Sequence, residues 1–273
     1  MADDGLTDFE HSTFTHAGKE RRVFRLGTGP AVIVLAEMPG ITPEVAAFAR
    51  RVAAIGCTAV VPHLFGVPGR DPYARGRVAL GIDMARSIVP ACISREFTVW
   101  ATGRTSPVVS WLRALAAREH QLCGGPGVGA VGMCFTGGFA LAMAVEPVVV
   151  APVLSQPSLP LVIGRRPRAA ASIDCDPDEL DVVAGRCAAE GLTVLGLRFE
   201  GDGLVPEDRF TFLSEQLGAG FVAVSLPDAS ANPDAVGSPH SVLTEHLIDA
   251  PGELTRDALD QVLDLFRTRL LGT

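Results

Sequence analysis

Residues Val128 to Gly138 read Val-Gly-Ala-Val-Gly-Met-Cys-Phe-Thr-Gly-Gly. The small apolar run Val128 to Val131 is bounded in front by Gly124, Gly125, Pro126 and Gly127, which predicts a short buried strand. Gly132, Gly137 and Gly138 follow, and then a helical run from Phe139 to Val145. A strand, a glycine-flanked turn and a helix in succession hold the turn residue, Cys134, clear of the sheet. The helix N-terminus beneath it favours a thiolate. The same residues also suit an inert cysteine buried in a β-α turn, so the rest of the chain has to decide.

Upstream of this turn, Ala31 to Ala36 is a continuous apolar run, the pattern of a parallel strand covered on both faces. It ends in Glu37-Met38-Pro39-Gly40. Thr42 is placed to cap a helix with Pro43 at its first position, Glu44 in its first turn, an apolar stripe of Phe48, Val52 and Ile55, and a stop at Gly56. Thr58 to Val61 is the next strand, left through Pro62-His63-Leu64-Phe65-Gly66. Before these, Thr13 to Thr15 and Arg22 to Leu26 predict a hairpin around Ala17-Gly18-Lys19 at a sheet edge. Val78 to Val89 has a helical pattern, Ile93 to Arg104 is ambiguous, and Pro107 starts a helix through His120 that buries Trp111, Leu112 and Leu115.

Downstream, Pro147 to Pro152 is a buried strand with Ser155-Gln156-Pro157 just beyond it. Leu180 to Glu190 is a helix, and Leu192 to Leu197 a strand leading to Phe199-Glu200-Gly201-Asp202-Gly203. Pro206 opens a helix through Leu217, and Phe221 to Leu226 is the last strand. A polar loop from Pro227 to Pro239 reaches His240, with His246 in a helical stretch beyond. The closing helix sets Leu259, Val262, Leu263, Phe266 and Leu270 on one face. This alternation predicts one α/β domain over residues 1–273, with a mostly parallel central sheet, helices on both faces, and residues 1–19 as an N-terminal extension and edge hairpin.

The 273 residues are 48% hydrophobic and 20% charged, which suits one large domain, with two small ones as the alternative. A net charge of −8 without a Lys/Arg run argues against a nucleic-acid surface. The acidic start, MADDGLTDFEHST, has no apolar core of a signal peptide, and no apolar run is long enough to span a membrane. The six cysteines (57, 92, 123, 134, 175 and 187) form no CxxC and no His/Cys ligand pair. Neither structural zinc nor a disulfide framework is expected, and a cytoplasmic location fits.

In a parallel sheet, the loops after the C-terminal strand ends form the crevice where ligands bind. The polar residues there are Glu37, His63, Cys134, Asp202 and His240. Nucleophile, acid and histidine follow one another in the order of a hydrolase triad. A thiol attacks as thiolate and needs a base, and the base needs a carboxylate to fix its tautomer. Each residue also has a plainer reading. Asp202, between two glycines, is a natural turn residue. His240 fits an exposed loop, with His246 as its rival. His63 fits a turn cap, and Glu37 a solvated carboxylate. Their joint placement behind strands, in triad order, favours the functional reading.

Four stretches then resemble the dienelactone hydrolase family, cysteine hydrolases of the α/β-hydrolase fold: Leu35-Ala-Glu37-Met-Pro-Gly40, Gly132-Met-Cys134-Phe-Thr-Gly-Gly138, Gly201-Asp202-Gly-Leu-Val-Pro206, and His240-Ser241. The resemblance spans about residues 20 to 270. It implies Cys134 as nucleophile, His240 as base, Asp202 as its orienting acid, and Glu37 as the carboxylate contacting the resting thiol. It further implies the backbone N–H groups of Met38 and Phe135 as oxyanion hole. The chain departs from the family pattern at three places. Thr136 stands where a glycine is usual, at a tight crossing where a β-branched residue is expected to shift the helix or narrow the pocket. Thr244 replaces an arginine that holds a substrate carboxylate, and His63 replaces an aspartate. These departures argue against an anionic dienelactone. His63, Thr136 and Arg95 are candidate pocket residues, with Arg95 or Arg86 as a source of positive charge.

The resulting expectation is a hydrolase of small-molecule esters or lactones that works through a thioacyl-enzyme, without metal or cofactor, as a monomer or homodimer. Two rivals stand beside it. One is a glyoxalase-like or amidotransferase-like Cys/Glu enzyme, disfavoured because Phe135 rather than histidine follows the cysteine. The other is a hydrolase fold kept as a non-catalytic binding protein.

Overall fold

The computed structural model describes residues 2–74, 96–97, 103–159 and 170–273. Arg86, Arg95 and the expected helix from Val78 to Val89 lie outside them, as does most of Ile93 to Arg104. Eight strands form one sheet: β1 (Glu10–His16), β2 (Lys19–Gly27), β3 (Ala31–Leu35), β4 (Thr58–Pro62), β5 (Val128–Met133), β6 (Val149–Ser155), β7 (Val194–Phe199) and β8 (Phe221–Leu226). Their order is β1-β2-β4-β3-β5-β6-β7-β8. The β1–β2 and β2–β4 pairs are antiparallel, and every other pair is parallel. This is the mostly parallel sheet expected from the alternation, in the α/β-hydrolase arrangement that the resemblance implied.

The described helices are α1 (Pro43–Ala54), α2 (Val108–Cys123), α3 (Gly137–Met143), α4 (Pro177–Glu190), α5 (Glu207–Leu217) and α6 (Leu254–Phe266). One core cluster joins Val45, Phe48 and Val52 of α1 to Leu259, Val262 and Phe266 of α6. The other joins Leu112 and Leu115 of α2, Phe139 of α3, Val183 of α4 and Leu213 of α5. The sheet therefore separates two cores. β3, β4, β5 and β7 are buried at every position, as their mostly apolar runs require, Thr58 and Arg198 being buried polar exceptions.

Several boundaries differ from the sequence reading. The hairpin strands pair from Glu10–Arg25 to His16–Lys19, longer than the apolar residues alone indicated, because backbone pairing at a sheet edge needs no buried side chains. α4 starts at Pro177, with Asp176 before it as N-cap, a start signal that the apolar pattern from Leu180 overlooked. β6 runs on to Ser155, where backbone pairing with Leu197 carries the strand past its apolar stretch. His246 lies in a turn rather than a helix. Thr42 caps α1 as expected, its hydroxyl accepting from Val45 N at 3.3 Å.

Candidate active site

Cys134 follows β5 directly and opens a short 3₁₀ turn, Cys134–Thr136, that leads into α3. Its φ of +53° is a left-handed conformation that a non-glycine residue adopts only under constraint. The constraint is the crossing beneath it. A Cβ on Gly132 would stand 2.1 Å from the Thr136 carbonyl oxygen, so the returning chain needs glycine there. Thr136 is fully buried. Its hydroxyl accepts from Met133 N at 2.9 Å and lies 3.0 Å from the Leu35 carbonyl, to which it can donate. The expectation that Thr136 narrows the pocket is corrected: the side chain turns inward and ties the end of β3 to the end of β5.

Asp202 sits in the turn after β7 and is 5% exposed. One carboxylate oxygen accepts from Leu204 N at 2.9 Å, the turn role expected of Asp beside Gly, and the other lies 2.6 Å from His240 Nδ1. Two buried arginines brace this turn: Arg198 donates to the Val205 carbonyl at 2.6 Å, and Arg209 to the Leu204 carbonyl at 2.8 Å. His240 Nε2 is buried and makes no close hydrogen bond to a nitrogen or oxygen atom, while its ring interacts with Cys134. Burial disfavours the imidazolium, but the electrostatic pull of the neighbouring Cys134 sulfur and the hydrogen bonds to Asp202 and Cys134 outweigh it, and the His240 pKa is pushed up to about 11. Cys134, His240 and Asp202 are thus brought together.

Glu37 is 6% exposed. Ser241 Oγ donates to its Oε2 at 2.6 Å, Gln156 Nε2 to the same oxygen at 3.2 Å, and Thr244 Oγ1 to its Oε1. The expected contact with the resting thiol is not made, because these three donors hold the carboxylate against the segment that carries His240. The sulfur of Cys134 instead lies 3.1 Å from Ser158 Oγ. Sequence reasoning assigned no role to Gln156 or Ser158. The available signal was the polar Ser155-Gln156 pair closing an apolar parallel strand, at the sheet end where ligand-binding residues gather.

His63 has its Nε2 3.0 Å from the Gly66 carbonyl and its Nδ1 3.4 Å from Arg22 Nη2. Burial above all pushes its pKa down. Both ring nitrogens are thus engaged, which favours the turn cap over the pocket. His246 Nδ1 accepts from Ser241 N at 3.2 Å, and burial, followed by the neighbouring His240 charge, pushes its pKa down. It braces the His240 segment from behind. Met38 and Phe135 flank the site on the loop after β3 and in the first helical turn, where N–H groups have no intrahelical acceptor.

Among the described residues, no three or more His, Cys, Asp or Glu side chains converge as metal ligands, no helix is long and apolar enough to cross a membrane, and five cysteines are free thiols.

The sequence profile of the dienelactone hydrolase family matches residues 20–162. No curated protein sequence matches the chain. Among solved structures, a Klebsiella pneumoniae subsp. pneumoniae protein assigned as a dienelactone hydrolase superimposes with a TM-score of 0.58 at 18% identity, covering 94% of this chain and 97% of its own. Est1E from Butyrivibrio proteoclasticus gives 0.57 at 12% identity, with 96% and 99% covered. A cold-adapted esterase from an Arctic intertidal metagenomic library gives 0.56 at 14% identity, with 99% and 100% covered. At such identities the likeness is one of fold.

Proposed function

The chain belongs to the dienelactone hydrolase family, which supports a hydrolase, and from that premise we propose that it cleaves a small carboxylic ester or lactone through Cys134, His240 and Asp202. The observation that carries the proposal is the pair His240 Nδ1–Asp202 Oδ2 at 2.6 Å, with the same ring interacting with Cys134. An imidazole oriented by a buried carboxylate and raised in basicity is suited to keep the sulfur as thiolate.

The thiolate attacks the substrate carbonyl. The oxyanion rests on the N–H groups of Phe135 and Met38, a type of contact worth about 10²–10³ in rate per donor. The tetrahedral adduct collapses to a thioacyl-enzyme as the imidazolium of His240 protonates the departing alkoxide. His240 then takes a proton from water. The hydroxide adds to the thioester, the carbon–sulfur bond breaks, and the acid leaves beside a restored thiolate–imidazolium pair. Thr244 contributes no positive charge, and its hydroxyl is spent on Glu37, which favours a neutral substrate over an anionic dienelactone. A cytoplasmic location, where the free thiols stay reduced, belongs to this reading.

A panel of nitrophenyl esters and simple lactones tests it with wild type, Cys134→Ala and His240→Ala. Each substitution should lower turnover about 10²-fold or more. Undiminished turnover in Cys134→Ala would remove the thiol from the mechanism.

A further inference from the structure

Among the described residues, the one side-chain hydroxyl in hydrogen-bond contact with the Cys134 sulfur belongs to Ser158, at 3.1 Å, and Ser158 is itself only 6% exposed. Three bonds hold its loop in place. Ser158 N donates to the Cys134 carbonyl at 3.0 Å, Arg209 Nη1 to the Pro157 carbonyl at 2.8 Å, and Gln156 N to the Leu197 carbonyl at 2.7 Å. Gln156, at φ +37°, is held in a left-handed turn that aims the loop back over the cysteine. The hydroxyl thus reaches the sulfur from a rigid base, in company with His240.

A serine hydroxyl can accept a proton from a thiol or donate its own to a thiolate. Only the second bond is charge-assisted, and such bonds are roughly twice as strong as neutral ones. The sulfur of a thioester is a poor acceptor. The contact is therefore strongest whenever the sulfur is negative: in the free thiolate, and as the carbon–sulfur bond of the acyl-enzyme breaks and its electron pair passes to sulfur. From this, resting on the thiol mechanism above, we infer that Ser158 is a further catalytic residue, whose hydroxyl holds the Cys134 thiolate and stabilises it as the leaving group of deacylation. In deacylation the bond strengthens only as charge returns to sulfur, so there it accelerates the chemical step rather than substrate binding.

The test has two readouts. Alkylation of Cys134 by iodoacetamide against pH reports the thiolate without any hydrolysis, and a nitrophenyl ester burst separates acylation from deacylation. In Ser158→Ala, the alkylation midpoint should rise by about one pH unit and the post-burst rate fall about tenfold, the worth of one hydrogen bond to a charged group, while the burst amplitude is kept. Ser158→Thr should restore both. Ser158→Thr and Ser158→Val share a shape and differ by the hydroxyl, so they carry the same comparison should the alanine variant not fold. An unchanged midpoint and post-burst rate without the hydroxyl would overturn the inference even where Cys134→Ala is inactive. A Cys134→Ala protein that still hydrolyses would overturn the hydrolytic role instead, and the two failures are thereby told apart.

Discussion

Cys134 hangs on a turn whose neighbours are backbone, whereas His240 rides on a segment that has no regular secondary structure. On the cysteine side, β5, the 3₁₀ turn and α3 are consecutive in the chain, and the crossing is set by the 2.1 Å that a Gly132 Cβ would leave to Thr136 O. On the histidine side, residues 240–246 are held by what lies far away in sequence. Asp202 takes the ring, Glu37 takes Ser241 and Thr244, and Gln156 takes Val242 N at 3.3 Å. Val242 and Leu243 are buried beneath. The nucleophile is thus positioned by local chain geometry, and the base by tertiary side-chain hydrogen bonds. The two halves should therefore fail differently when altered, the first as stability and the second as activity.

The largest effect is expected at the crossing. Gly132→Ala sets a Cβ against backbone atoms that cannot swing aside, and overpacking of that kind should cost about 3 kcal/mol or more. The urea midpoint should drop at constant slope. A midpoint like that of wild type would mean that the turn yields, and the contrast between the two halves would collapse.

Glu37→Gln should act on the other half. It swaps a carboxylate that accepts from three donors for an amide that faces some of them with its own N–H, so the His240 segment loosens. Ester turnover should fall about 10-fold or more, as expected when a general base is misplaced, while the urea midpoint moves little. The direction of the Cys134 alkylation midpoint sharpens the reading. Weakened pairing with His240 raises it, whereas removing a carboxylate that faced the thiol would lower it. A lowered midpoint would restore the direct contact between Glu37 and the sulfur.

Thr136→Val is the smallest of the three. It keeps the shape and removes the hydroxyl bonds to Met133 N and Leu35 O. It should cost about 1–3 kcal/mol in stability by leaving buried backbone groups unpaired, with the iodoacetamide reactivity of Cys134 retained. Loss of that reactivity without loss of stability would give Thr136 a role at the reacting sulfur instead.

The amino-acid sequence by itself determined the parallel sheet, the elbow around Cys134 and the polar residues at its strand ends. Apolar runs, glycine spacing and helix caps are local, and a chain of this pattern can bury its strands in only a few ways. Whether Asp202 was a turn residue or a partner of His240 was not legible, since each oxygen of one carboxylate serves one of those roles. Nor was the partner of Glu37. The family resemblance implied the thiol, yet the carboxylate bonds to donors more than 100 residues away. Only the tertiary structure decided that Ser158 rather than Glu37 touches the sulfur, and that Thr136 faces inward. Those outcomes depend on which of several nearby donors and acceptors a buried polar group meets, and a buried group settles on the partners that best replace its lost water. Sequence spacing carries no record of that competition.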